Sequence, residues 1–183
     1  MGSNNDISLK ALAKINLGLD VVRRREDGYH EVRMIMQTIH LYDRLDIKRT
    51  KEPGIQIQTN LSFLPVNENN LIYKAAKLLM DEFSITDGVS VKLDKRIPVA
   101  AGMAGGSTDA AAMLIGVNRL FSLGLTKREL MERGLQIGAD VPYCIMRGTA
   151  LAEGIGEALS PLPPMVKLSL IHISEPTRHS LIS

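Results

Sequence analysis

The stretch PVAAGMAGGSTDAA, residues 98–111, decides how the rest of the sequence is interpreted. It joins a strand-like run, residues 89–97, to a helix-like run over residues 107–123. We expect its three glycines to adopt positive φ angles and to let another atom approach the backbone closely. The Ser-Thr-Asp run at 107–109 is expected to cap the following helix, because these residue types are favoured N-caps.

A glycine-rich loop that opens a helix is a favourable anion site, because free backbone N–H groups and the helix dipole point the same way. The stretch lacks the lysine of the Walker motif and the glycine spacing of the dinucleotide-binding fingerprint. Its glycines alone are equally consistent with a tight strand-to-helix turn that binds nothing. The length of the loop and its lack of bulk favour a phosphate-binding loop.

The composition is that of an ordinary globular protein, and 183 residues suffice for one domain with a proper core. The net charge is +2 and no basic block occurs, which argues against nucleic acid as a partner. Cys144 is the only cysteine, so an intramolecular disulfide is impossible and a reducing compartment is expected. No apolar run reaches membrane-spanning length, so we expect a cytoplasmic protein without a membrane partner. Nothing in the sequence indicates an oligomeric state.

Hydrophobic periodicity predicts an α+β domain with helices packed on a largely antiparallel sheet. Strands are predicted at residues 7–13, 13–22, 32–41, 45–47, 55–57, 89–97, 143–146 and 168–173. Helices are predicted at residues 69–83, 107–123 and 126–137. The third helix begins with a capping box, Thr126 with Glu129.

Lys14 and Asn16 are two residues apart on a predicted strand and therefore share one of its faces. Such a pair is most often a solvated face, and alternatively a fixed cation near a phosphate. Asp140 falls in the Gly-Ala-Asp-Val-Pro break after the third predicted helix. An aspartate there is most often a turn former, whereas beside a lysine it could serve as a catalytic base.

Tyr29 and His30 directly follow a turn signal at Asp27-Gly28. His30 alone is more often a surface residue than a ligand contact. Tyr29 offers a stacking face and a hydrogen-bond donor, which are features of base-binding pockets.

Taken together, these motifs resemble the GHMP kinase superfamily, which includes galactokinase, homoserine kinase and mevalonate kinase. The glycine-rich stretch is similar to the phosphate-binding motif of that superfamily. AKINLGL at 13–19, DGYHEV at 27–32 and GADVPYC at 138–144 resemble one branch of it. That branch phosphorylates a cytidine-diphosphate-linked alcohol in the non-mevalonate isoprenoid pathway. The match covers roughly residues 7–167 and implies a GHMP kinase N-terminal domain of the ribosomal protein S5 domain 2-like fold over residues 1–167.

The resemblance also implies a role for each matching residue. Lys14 and Asp140 would form the catalytic pair, and Asn16 would help to hold the substrate. Tyr29 and His30 would recognise its cytidine end. The reaction would transfer the γ-phosphoryl group of ATP to the 2-hydroxyl of the methylerythritol part of the small-molecule substrate.

ATP and Mg²⁺ are the cofactors that the resemblance implies. Ser107 would lie near the phosphates or the magnesium ion. The implied ATP-binding residues are Pro98, Val99, Ala100, Ala101, Gly102, Met103, Ala104, Gly105, Gly106, Ser107 and Thr108.

Members of the superfamily continue into a second, C-terminal half, which this sequence does not contain. Residues 168–183 do not resemble that continuation and are interpreted as a non-native or frameshifted tail. We therefore expect this chain by itself to be an inactive fragment. Two alternatives stay open. One is another small-molecule kinase of the superfamily, against which Gly28-Tyr29-His30 argues. The other is a non-catalytic, RNA-binding domain of the same fold, which the small net charge disfavours.

Overall fold

The computed structural model describes residues 5–24, 26, 28 and 30–164. Within these residues, one six-stranded sheet and four helices enclose a common hydrophobic core. The strands are β1 (Asp6–Arg24), β2 (His30–Thr50), β3 (Ile55–Thr59), β4 (Gly88–Asp94), β5 (Thr149–Glu153) and β6 (Ala158–Leu162). The helices are α1 (Leu71–Glu82), α2 (Gly105–Leu120), α3 (Lys127–Leu135) and α4 (Val141–Met146). None of the described helices combines the length and apolar character needed to span a membrane.

The long strand β2 organises the sheet, whose order is β3-β4-β2-β5-β6 with β1 also paired to β2. Its first part pairs with β5 over Met34–Gln37, and its second part pairs with β4 over Arg44–Thr50. Every strand pair is antiparallel except β3 with β4. The predicted α+β fold with a largely antiparallel sheet is therefore confirmed. The strands predicted separately at 32–41 and 45–47 form one strand, because β1 pairs with β2 along nearly its whole length.

The core lies where α2 packs on β1 and β2. Leu45 and Ile47 of β2 are fully buried, as are Met113 and Leu114 of α2. Burying each such side chain contributes roughly 1.5–3 kcal/mol. A Cβ at Gly116 would come within 2.3 Å of the Ile47 side chain, so this glycine lets the helix lie close to the sheet.

Helices α1 and α3 confirm the helices predicted at 69–83 and 126–137. Asn70 caps α1 by accepting a hydrogen bond from the Ile72 backbone N–H, which was not predicted. At the start of α3, Thr126 and Glu129 form the predicted capping box.

The strand predicted at 143–146 is wrong, because these residues belong to helix α4. Pro142 lies in the first turn of the helix, where its missing N–H costs nothing. Tyr143 to Ile145 are all buried, and a short buried apolar run has no periodicity that separates helix from strand. The strand predicted at 168–173, the tail and the domain limit at 167 lie outside the described residues.

Candidate active site

A cavity of about 580 Å³ lies between β1, the start of α1, the glycine-rich loop and the start of α4. It collects most of the residues that the sequence motifs indicated. Its walls include Lys14, Asn16, Asp140 and every residue from Pro98 to Ser107. Leu64, Pro65 and Leu71 add an apolar side to it. The cavity has the size and mixed lining of a small-molecule site.

The glycine-rich loop differs in detail from the prediction. Helix α2 begins at Gly105 and not at Ser107, and its N-cap is Ala104, which makes no side-chain cap hydrogen bond. Of the three glycines only Gly102 has a positive φ, of 71°, while Ala100 and Ala104 also adopt left-handed conformations at 60° and 56°. Left-handed alanines are strained, and such strain is concentrated at functional sites.

The predicted capping role of residues 107–109 is wrong, because the last two side chains bind elsewhere. Thr108 is buried, and its hydroxyl donates to the Leu12 carbonyl at 2.7 Å. Asp109 is buried and pairs with Lys95 at 2.8 Å. Both contacts fasten α2 to the fold beneath the loop, and Thr108 does not line the cavity.

Lys14 reaches the cavity because β1 is irregular at this point. The register with β2 shifts between Leu12 and Lys14, so Ala13 and Lys14 are both buried although they are adjacent. A β-bulge re-aims a side chain in this way. The Lys14 ammonium donates to Asn16 Oδ1 at 3.1 Å, which confirms the shared face. The solvated-face interpretation is wrong for Lys14, which is 5% exposed.

The Lys14 backbone is also tied to the glycine-rich loop. Its N–H donates to the Met103 carbonyl at 3.2 Å. This contact fixes the position of the lysine relative to the loop that follows β4.

Asp140 precedes α4 and makes no side-chain cap hydrogen bond to that helix. Its carboxylate lies 3.7 Å from the Lys14 ammonium and is one-third exposed to the cavity. Helix α4 is held in place by Tyr143, whose hydroxyl donates to the Gly148 carbonyl at 2.7 Å and contacts Thr38. The position of Asp140 therefore depends on a buried anchor, and its side chain is free to face a ligand.

The structure adds a buried charge cluster that was not predicted from the sequence. The Lys95 ammonium binds the carboxylates of Asp43 and Asp109, and all three side chains are at least nine-tenths buried. Asp43 also accepts hydrogen bonds from the backbone N–H groups of Arg96 and Ile97, at 2.5 and 2.8 Å. The cluster thereby fixes the chain just before the glycine-rich loop.

One oxygen of the cluster, Asp109 Oδ1, is buried without a hydrogen-bond partner among the described residues. Burial raises the pKa of Asp109 to about 8, and repulsion from Asp43 adds to the rise while Lys95 opposes it. One ammonium cannot neutralise two buried carboxylates, so a raised pKa is the physically expected direction.

This raised pKa makes folding stability depend on pH. Protonation of Asp109 favours the folded state, because the folded-state pKa lies above the ordinary pKa of 3.8. The resulting gain in stability is complete below pH 3.8 and is lost as the pH rises through about 8. Between pH 7 and pH 9 we expect the wild-type chain to lose about 1.4 kcal/mol of unfolding free energy relative to Asp109→Asn. Urea denaturation at several pH values measures this difference. The control Asp81→Asn, on the exposed end of α1, should show the same dependence of unfolding free energy on pH as the wild type. The prediction is contradicted if Asp109→Asn shows that same dependence.

Gly105 and Gly106 form a matched pair for testing how tightly the cluster supports the loop. A Cβ at Gly105 would lie 2.8 Å from Lys95 Nζ and 3.2 Å from Ile97 Cγ2, whereas one at Gly106 would meet only Leu71, at 3.4 Å. We expect Gly105→Ala to lower the unfolding free energy by about 1–3 kcal/mol. Gly106→Ala should leave it unchanged or higher, because alanine favours a helix. Equal results for the two variants in denaturant unfolding would show that Lys95 can move aside.

Two predicted site residues are not brought into this cavity by the described structure. His30 is exposed at the first residue of β2 and does not line the cavity. Tyr29 lies outside the described residues. Their role at the cytidine end of a substrate stays a prediction.

The fold and the cavity together define a known class of domain. Residues 70–148 match the family model described as the GHMP kinases N terminal domain. The matched segment runs from the cap of α1 to the residue before β5 and includes the glycine-rich loop and Asp140. This segment is therefore similar to a GHMP kinase N-terminal domain.

Similar curated proteins carry a more specific name. The chain is 64% identical over 158 residues to 4-diphosphocytidyl-2-C-methyl-D-erythritol kinase of Lachnoclostridium phytofermentans, covering 86% of this chain and 54% of that protein. It is 54% identical over 170 residues to the protein of the same name from Alkaliphilus oremlandii, covering 93% and 58%. The chain spans about half the length of the curated relatives it matches. It is homologous to the N-terminal part of these kinases.

Solved structures agree with this assignment. A crystal structure of 4-(cytidine 5'-diphospho)-2C-methyl-D-erythritol kinase matches with a TM-score of 0.75 and 38% identity, covering 85% of this chain and 55% of that one. The homoserine kinase of Cytophaga hutchinsonii matches with a TM-score of 0.71 at 17% identity, covering 89% and 53%, and shows the fold alone. The relatives that share substantial identity with this chain are thus named as small-molecule kinases, the class that the motifs resemble.

Proposed function

We propose that this chain supplies the nucleotide site and the catalytic pair of a kinase acting on 4-diphosphocytidyl-2-C-methyl-D-erythritol. The reaction transfers the γ-phosphoryl group of ATP to the 2-hydroxyl of the methylerythritol part. The observation that carries the proposal is the Lys14–Asp140 pair, 3.7 Å apart, in the same cavity as the glycine-rich loop.

The chemistry suits these residues, because phosphoryl transfer depends on positioning and charge neutralisation more than on covalent help. In the proposed mechanism Asp140 accepts the proton of the attacking hydroxyl. Lys14 holds a positive charge between that carboxylate and the phosphoryl group. Asn16, whose amide oxygen accepts from Lys14, orients the lysine and offers its remaining amide hydrogens to the substrate.

ATP would bind with its phosphates along residues 98–107, where the loop meets the start of α2, and Thr108 would support the loop from beneath. The first amides of a helix have no intrahelical partner, so those of Gly105 and Gly106 are suited to donate to phosphate oxygens. In the described part of the chain, no three His, Cys, Asp or Glu side chains lie close enough together to hold a metal ion. Mg²⁺ would instead be held by the phosphates with one or two protein oxygens, for which Ser107 and Asp140 line the cavity.

Substrate recognition is proposed to involve Tyr29 and His30, as the resemblance implies. We expect Tyr29→Ala to weaken binding of the cytidine substrate by a factor that corresponds to about 1–3 kcal/mol, the usual worth of stacking one base on an aromatic ring. ATP affinity should change much less. Tyr29→Phe serves as the control, since it keeps the ring. Equal losses for the two ligands in isothermal titration calorimetry would indicate a packing role instead.

An ADP-release assay tests the proposed function. We would compare the 183-residue chain with a chimera that joins residues 1–164 to the remaining part of the Lachnoclostridium phytofermentans kinase. Each would be offered the cytidine substrate, mevalonate and homoserine. The chimera should phosphorylate only the cytidine substrate, and the 183-residue chain should bind ATP without turnover. Phosphorylation of mevalonate or homoserine would favour a different kinase of the superfamily. If ATP raises the melting temperature of neither protein, the proposed nucleotide site is refuted.

A further inference from the structure

A second cavity, of about 540 Å³, lies where β1, α2, α3 and α4 meet. It has no lining residue in common with the nucleotide cavity, and the proposed phosphoryl transfer makes no use of it. Its volume falls within the range of small-molecule sites, roughly 300–1,000 Å³. Leu9, Ile115 and Leu130 contribute apolar surface to its walls.

The charged residues that line this second cavity are all basic. Its lining residues include Lys10, Arg119, Lys127 and Arg147, and no Asp or Glu. Within the described part of the chain, none of these four forms an ion pair with a carboxylate, although surface arginines elsewhere, such as Arg128, do. A concave surface that gathers unpaired cations raises the local concentration of anions.

Neutral contacts hold two of these cations in place without balancing their charge. The Lys10 ammonium is not among them, because it lies 4.6 Å from the centre of the Tyr42 ring and Tyr42 does not line the cavity. Lys127 donates to the Met146 carbonyl at 2.6 Å, and Arg147 donates to the Lys10 carbonyl at 3.0 Å. These contacts arrange the side chains before any ligand arrives.

Arg147 is held in a conformation that L-residues rarely adopt, with φ 62° and ψ 173°. Its backbone N–H donates to the Tyr143 carbonyl at 2.7 Å, which keeps the strained residue at the end of α4. Burial and the nearby charge of Arg119 both lower the pKa of Arg147. Arg147 therefore has both a strained backbone and a repulsive interaction with Arg119. A bound anion would relieve the repulsion between the two arginines.

We propose that this second cavity is a binding site for a small phosphorylated anion, with Arg119 and Arg147 as its main ligands. Guanidinium groups bind phosphate oxygens through paired, charge-assisted hydrogen bonds. Lys127 supplies further positive charge, and the apolar wall accommodates an organic substituent. The proposal is independent of the phosphoryl-transfer function, because it concerns a different cavity.

Pyrophosphate is the probe for this site, titrated into the 183-residue chain by isothermal calorimetry at low ionic strength. We expect saturable binding that Arg119→Gln and Arg147→Gln each weaken at least about tenfold. Arg128→Gln is the matched control, because this arginine lies on α3 outside the cavity and is paired with Glu132. Added sodium chloride should weaken binding to the wild type and to the control alike.

The glycine-rich loop is itself a candidate anion site, so each variant is also titrated with ATP. Arg119→Gln should lower the pyrophosphate affinity of the second cavity and keep ATP binding, whereas Lys14→Met should keep the pyrophosphate affinity of the second cavity. If ATP does not bind to the wild-type chain, the proposed function is contradicted, but the inference about the second cavity is unaffected. Pyrophosphate binding that is absent, or equal in Arg119→Gln, Arg147→Gln and Arg128→Gln, would overturn it.

Arg147→Gly separates a binding role from a structural one. Glycine tolerates the positive φ, so this variant should melt at the same temperature as the wild type or higher while losing pyrophosphate affinity. A lower melting temperature together with retained affinity would show that Arg147 only holds α4 to β1, and would overturn the proposal.

Discussion

Asp140→Asn should lower the turnover of the chimera at least about 10²-fold, with little change in ATP affinity. The asparagine keeps the size of the side chain and removes its ability to accept the proton of the attacking hydroxyl. Asp140 makes no side-chain cap hydrogen bond, so its replacement should not disturb the start of α4. Steady-state ADP release gives the turnover, and calorimetric titration gives the ATP affinity.

Two controls separate catalysis from folding in this experiment. Asp81→Asn makes the same chemical change on the exposed end of α1, where the aspartate is paired with Lys77, and should leave turnover unchanged. Lys14→Met, which removes the other member of the pair, should also lower turnover while Asp140 is intact. Near-normal turnover of Asp140→Asn would return this residue to the turn-forming role that its position before Pro142 also suits.

The general fold and most of the cavity could be predicted because local patterns determine them. Glycine-rich residues between a strand and a helix predicted the loop, and alternation predicted that Lys14 and Asn16 share a face. The burial of Lys14 could not be predicted in the same way. It follows from a register shift after Leu12, which depends on the pairing of β1 with β2 and leaves no mark in either strand alone.

The sequence contains a pattern that indicates the buried cluster of Asp43, Lys95 and Asp109, although the cluster was not predicted from it. Asp43 precedes Leu45 and Ile47 at the same two-residue spacing, and Lys95 follows Val91 and Leu93 at that spacing. Both charged residues therefore continue the inward face of neighbouring strands. Charged residues on the inward faces of two neighbouring strands indicate a buried ion pair. The inference requires knowing that β2 pairs with β4, which the sequence alone does not show. Asp109 joins them from α2, and only the tertiary structure brings it there.

Lys95→Met should lower the unfolding free energy by about 3–5 kcal/mol, a larger loss than that expected for Gly105→Ala. The substitution leaves the Asp43 carboxylate buried without its cation, and methionine offers no donor to replace the Lys95 hydrogen bonds to Asp43 and Asp109. Since Lys95 immediately precedes the segment that enters the glycine-rich loop, ATP affinity should fall as well.

Lys92→Met is the control for Lys95→Met, because it makes the same substitution on an exposed position of β4 and should change stability by less than about 0.5 kcal/mol. The double variant Lys95→Met/Asp109→Asn should be about as stable as Lys95→Met alone, since Asp109 is protonated at neutral pH and carries no charge for the asparagine to remove. Urea unfolding of the wild type and the three variants at neutral pH measures these differences. Equal unfolding free energies for Lys95→Met and Lys92→Met would mean that water reaches the two carboxylates and that the cluster does not support the loop.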